Sequence, residues 1–163
     1  MRDLEHIETQ VALAKEQGGT VLSGGQRPKT PNQGWFYEPT IIACPDQKMT
    51  IVDTELFGPV LSVLRFDDED EVTALANDSK FGLAAGVFTQ NGARAMRMTK
   101  ALRAGIVWVN TYRVVSPIAE FGGYKESGYG RESGMQAIYD YTRPKTAWIN
   151  TSDEPLANPF VMR

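Results

Sequence analysis

The sequence predicts an α/β fold, a mostly parallel sheet flanked by helices. Three observations point to it. "PVLSVLRF", "LAAGVFT" and "GIVWVN" are short apolar runs bounded by turn residues, as buried strands are. Helical stretches separate them, and strand–helix alternation from Val60 to Asn110 is the pattern of a βαβ sheet with right-handed crossovers. At 163 residues the chain is long enough for one domain with a real core; a domain of this size buries roughly 70% of its unfolded surface.

The elements follow in order. Residues Asp3 to Gln17 predict an amphipathic helix, because Leu4, Ile7, Val11 and Ala14 recur at helical spacing and Gly18-Gly19 stops the run. "TVLSGG" reads as a short strand, and "QRPKTPNQG" as a loop rich in Pro, Gly and Asn. "WFYEPTIIACP" predicts one or two short strands interrupted by Pro39. After "PVLSVLRF", the acidic turn "DDED" caps a helix through Asn77, since acids near a helix N-terminus favour its dipole. "LAAGVFT" predicts a buried strand. "NGARAMRMTKALRAG" predicts a helix with Ala93, Met96, Ala101 and Leu102 on its inner face. "IYDYTRPKTAWIN" alternates as an edge strand does, and the 151–163 tail, with two prolines and no period, predicts an extended or disordered segment. An edge strand has unpaired backbone groups, so it is either protected or used to pair with another sheet.

Composition narrows the function. The net charge is −3 and the basic residues are scattered, so nucleic acid and anionic membranes are not expected partners. No apolar run approaches the ~20 residues that span a bilayer. The charged start "MRDLEHIETQ" argues against a signal peptide, and a cytoplasmic location is the expectation. One Cys excludes an intrachain disulfide, and one Cys with one His argues against a zinc site. No metal is expected.

Four places carry candidate chemistry. In "TELFGPVLSVLRF", Glu55 stands just ahead of a buried strand, where an ionised carboxylate must be paired or hydrogen-bonded. It is either a satisfied surface or capping acid, or an acid that binds the hydroxyls of a ribose through charge-assisted hydrogen bonds. Phe57 beside it can lie against a flat ring. "FGGYKESGYGRE" invites a phosphate-loop reading, but it holds neither G-x-G-x-x-G between strand and helix nor a Walker Gly-Lys-Ser/Thr. A tight irregular loop is expected instead, with Arg131 and Glu132 as structural ion-pair or carbonyl partners. Cys44, followed by Pro and Asp, lacks the cationic setting that activates a thiol and reads as structural. His6 on the first helix reads as a surface residue.

"TELFGPVLSV", "FGLAAGVFT" with "AGIVWVN", and "EFGGYKESGYGRESG" together resemble the C-terminal part of the aldehyde dehydrogenase superfamily, in that family's order and spacing. "AKEQGGTVLSGGQRP…FYEPTII" is similar to the segment that precedes Glu-x-Phe-Gly-Pro there, so the resemblance covers nearly the whole chain.

The resemblance implies oxidation of an aldehyde to a carboxylic acid with NAD or NADP. A Cys thiolate attacks the carbonyl, hydride leaves to the nicotinamide, and water activated by a Glu releases the acid. It gives Glu55 the nicotinamide ribose and Phe57 the nicotinamide side. Phe121 and Val115 fall where the family lines its aldehyde tunnel. In fold terms, residues 1–138 correspond to the C-terminal part of the catalytic domain, and 139–150 to the strand that adds to a neighbouring subunit. The implied partners are a homo-oligomer through 139–149, or intact aldehyde dehydrogenase subunits. The nucleophile, the general base and most of the dinucleotide domain fall ahead of Met1 in this correspondence, so no catalytic residue is expected in the chain. Glu120 stands where the family usually has Pro before Phe-Gly-Gly.

Overall fold

The computed structural model describes residues 2–31, 33–154, 158 and 160. Helix α1 (Arg2–Glu16) buries Leu4, Ile7, Val11 and Ala14, the face its spacing predicts. Gly18 ends it at φ +92°, a left-handed conformation that glycine adopts without a Cβ clash. Strand β1 (Thr20–Ser23) pairs antiparallel with β2 (Thr40–Ala43), and β2 pairs parallel with β3 (Val60–Val63). Only one strand forms around Pro39, and it begins directly after it.

The main core lies between α1, β2 and the short α2 (Thr50–Asp53). Ile7, Val11, Ala14, Ile42, Cys44, Met49 and Ile51 form one buried cluster. Thr40 is buried with its hydroxyl satisfied: Oγ1 donates to the Glu38 carbonyl at 2.7 Å and accepts from the Gly25 amide at 2.8 Å.

A second unit follows. Helix α3 (Glu69–Asn77) starts on Asp68, whose side chain accepts from the Glu71 amide at 2.8 Å, so the acidic cluster caps a helix as predicted. Strand β4 (Phe81–Gly82) pairs antiparallel with β7 (Tyr124–Lys125). Strand β5 (Ala84–Val87), helix α4 (Gly92–Ala101) and strand β6 (Ile106–Val109) make the expected parallel βαβ unit. The α/β class therefore holds, with two parallel and two antiparallel pairs rather than one mostly parallel sheet.

Helices α3 and α4 are clamped at both ends. Glu69 accepts from Nε and Nη2 of Arg97 at 2.7 Å each and from Nε of Arg94 at 3.2 Å. Asn77 donates to the Ala101 carbonyl and accepts from the Arg103 amide, both at 2.8 Å. Lys125 caps the far end of α3: its Nζ donates to the carbonyls of Asn77 at 2.9 Å and Ser79 at 2.8 Å.

Three expectations change. The inner face of α4 is Met98 and Leu102; Ala93, Met96 and Ala101 are exposed. The run predicted as a buried strand keeps Ala84 and Gly86 exposed. The predicted 139–150 strand begins inside a helical turn, α5 (Ala137–Asp140), and among the described residues 142–150 pair with no strand. Much of the 151–163 tail lies outside the described residues. No helix among the described residues is long and apolar enough to cross a membrane.

Candidate cofactor rim and substrate wall

Helix α2 ends at Thr54, whose amide donates to the Thr50 carbonyl at 3.0 Å. The chain leaves extended and carries Glu55 out on the turn that leads into β3. Gly58 must approach α1 closely here: a Cβ on it would lie 2.5 Å from Ile7 Cδ1. The Val60 amide donates to the Gly58 carbonyl at 2.8 Å and tightens the turn. Phe57 is held at φ +49°, an unfavourable conformation for a bulky residue, with its ring 87% exposed.

Glu55 is exposed on the rim of a cavity of about 310 Å³ that Val52, Asn77, Phe81, Leu83 and Arg103 also line. Among the described residues, no hydrogen bond or ion pair reaches its carboxylate. Exposed to solvent, the carboxylate needs no protein partner and is free to accept from a ligand.

Val115 and Phe121 come together elsewhere. Both line an apolar cavity of about 650 Å³ with Ile106, Val114, Pro117 and Glu120. Its wall is a strap after β6, and Trp108 holds that strap. The indole Nε1 donates to the Val114 carbonyl at 2.7 Å, and the ring packs edge-on against Tyr112. Asn110 and Arg113 turn the strap at positive φ. Trp108 is not legible as a site residue in the sequence, because a Trp inside an apolar strand reads simply as core; its indole N–H was the available signal. Glu120 packs over Gly134, where a Cβ would come within 2.8 Å of its Cγ.

The glycine-rich stretch is not an anion cradle. Phe121 and Glu132 exchange backbone hydrogen bonds of 2.8 and 2.7 Å, which folds the stretch back on itself. Arg131 lies within it and donates to the carbonyls of Gly123 at 2.9 Å and Gly130 at 2.8 Å. Carbonyls converging on a cation are the reverse of amides converging on a phosphate. The expected role of Arg131 as a carbonyl partner holds. Cys44 is buried in the main core, its thiol 3.7 Å from the Ile42 carbonyl, and His6 is exposed on α1. Among the described residues no cluster of His, Cys, Asp and Glu could hold a metal ion.

The structure thus sets Glu55 beside Phe57 on one turn and Val115 beside Phe121 in one cavity. Residues 1–147 match the aldehyde dehydrogenase family. The chain belongs to the aldehyde dehydrogenase family. It is 50% identical to the (Z)-2-((N-methylformamido)methylene)-5-hydroxybutyrolactone dehydrogenase of Acinetobacter baylyi, across 100% of this chain and 33% of that protein. It is 45% identical to betaine aldehyde dehydrogenase of Brucella melitensis, across 89% of this chain and 30% of that one. The NAD+ complex of an aldehyde dehydrogenase from Bacillus cereus superposes with a TM-score of 0.87 at 42% identity, over 93% of this chain and 30% of that one. The chain spans about a third of the length of the aldehyde dehydrogenases it matches.

Proposed function

We propose that this chain forms the C-terminal segment of an NAD(P)-dependent aldehyde dehydrogenase, which oxidises an aldehyde to a carboxylic acid, and that it does not turn over alone. One observation carries the assignment of its binding groups: Glu55 stands unpartnered on a cavity rim beside a strained, exposed Phe57. A free carboxylate there fits the two hydroxyls of a nicotinamide ribose, each hydrogen bond contributing about 1.5–3 kcal/mol. Phe57 would stand against the nicotinamide. Bound, that cofactor supplies the hydride acceptor. Phe121 and Val115 form one wall of the aldehyde tunnel and exclude water from it. Relatives solved with NAD+ support NAD as the cofactor.

The residues present support this silence. Cys44 is buried, and turnover needs a nucleophile and a base held together. The purified chain, mixed with NAD or NADP and short, long and aromatic aldehydes, should give no rise in nicotinamide absorbance. Turnover abolished by Cys44→Ser would overturn the reading.

A second reading is a non-enzymatic module that pairs with intact aldehyde dehydrogenase subunits, or with itself, through 139–149. The exposed residues 142–150 favour it: Trp148 is 92% and Ile149 83% exposed, and the stretch has no partner strand among the described residues. Co-purification with an intact aldehyde dehydrogenase, lost on deleting 142–163, would support it.

A further inference from the structure

The apolar cavity of about 650 Å³ that holds Val115 and Phe121 has two charged residues on its wall, Glu120 and Glu132. Both are acids, and among the described residues no Lys, Arg or His lines it. Glu120 is exposed, and no hydrogen bond or ion pair among the described residues reaches its carboxylate.

The chain on both sides of Glu120 is pinned. Before it, the Ala119 amide donates to the Ser116 carbonyl at 3.1 Å. After it, Phe121 and Glu132 exchange their backbone hydrogen bonds. Gly134, at φ +63°, donates its amide to the Pro117 carbonyl at 3.0 Å and lies against Glu120, where a side chain of its own would collide with Cγ. The stem of Glu120 therefore rests on bare backbone. The arginines of the same loops are engaged elsewhere: Arg131 on the carbonyls of Gly123 and Gly130, and Arg113 over the Tyr112 ring, 5.6 Å from its centre.

An unpaired carboxylate on a pinned backbone beside an apolar wall sets a sign for what enters. It accepts hydrogen bonds and donates none. A cation gains a charge-assisted bond there, a neutral tail gains burial only, and an anion is repelled. The apolar side chains keep water off part of the contact, which strengthens it relative to open solvent.

We propose that Glu120 is a specificity-determining residue of this cavity, and that the aldehydes it selects carry a positively charged group. Anionic aldehydes are turned away by the same carboxylate. The inference rests on reading the cavity as the aldehyde tunnel, and it adds the charge of the substrate to that reading.

The test titrates the native 163-residue chain with butylammonium, butan-1-ol and butyrate, and follows the amide signals of Val115, Phe121 and Gly134 by NMR. The three probes share one apolar tail and differ in charge. Butylammonium should bind about three- to tenfold more tightly than butan-1-ol, and butyrate more weakly than either. The preference should shrink as salt is raised and disappear in Glu120→Gln. Equal binding of the three probes by the native chain overturns the proposal and leaves the tunnel reading standing. So does a preference that Glu120→Gln retains. Butylammonium shifts as large at the exposed acids of 67–71 as at Val115 would mark loose ion pairing and overturn it too. No shift at Val115 or Phe121 with any probe overturns the tunnel reading, and the proposal with it.

Discussion

Glu69 accepts two hydrogen bonds of 2.7 Å from Arg97, a side-by-side fork that joins the first turn of α3 to the middle of α4. Fork geometry of this kind is the strong form of the arginine–carboxylate contact. The Arg97 hydrogen bonds, with smaller help from Arg94 and against some desolvation, pull the Glu69 carboxyl down from 4.5 to about 2.

The sign of the pH effect follows. A carboxyl depressed in the folded state stabilises above its unfolded pKa, and that stability is lost as pH falls through the folded value. Melting temperature should therefore fall as pH drops from about 4.5 toward about 2. Glu69→Gln should melt a few degrees lower at pH 7 and show a flatter dependence in that window. Thermal melts of both proteins across pH 2–7 check it.

Gly58→Ala should destabilise the chain by about 1–3 kcal/mol, because its Cβ would press on Ile7 Cδ1 in the core face of α1. Denaturant unfolding measures the loss. The same substitution displaces the turn that carries Glu55 and Phe57, so cofactor affinity in an assembled enzyme should fall as well.

Glu55→Gln should separate the two quantities. Among the described residues the carboxylate holds no partner, so stability should change by less than about 0.5 kcal/mol. Cofactor binding by the assembled enzyme should weaken by about 1.5–3 kcal/mol. Unfolding curves and a titration with NAD check the pair, and a large stability loss would show that Glu55 has a structural partner.

Cys44 should label slowly with a thiol reagent in the native chain and at the rate of a free thiol in denaturant, since the side chain is buried. Cys44→Ser should cost about 1–3 kcal/mol by placing a hydroxyl in an apolar cluster.

The parts of the fold that were legible are those where one local signal dominates. Leu4, Ile7, Val11 and Ala14 leave α1 only one face to bury. The acids before α3 had to cap something, and Asp68 does. Helix α4 was harder, because Met96 and Met98 compete for the core and periodicity cannot rank two methionines. The tertiary contact decides: Arg94 and Arg97 reach Glu69, which turns Met98 toward Thr73 and leaves Met96 in solvent. Strands β4 and β7 are two residues each, below what a pattern can announce. At the site, Glu55 and Phe57 were legible as neighbours in sequence. That Val115 and Phe121 share a cavity depends on the Trp108 strap, a contact no spacing encodes.

Lys125 belongs to the glycine-rich segment, yet its ammonium is spent on the last carbonyl of α3, Asn77, and on that of Ser79 just beyond it. The segment therefore has no freedom of its own: to swing outward it must first draw a charge from a helix end and leave two acceptors bare. Loop order and helix order become one cooperative quantity, and whatever frays the C-terminus of α3 loosens the wall of the Val115–Phe121 cavity with it. Acetylating that single amine would uncouple them.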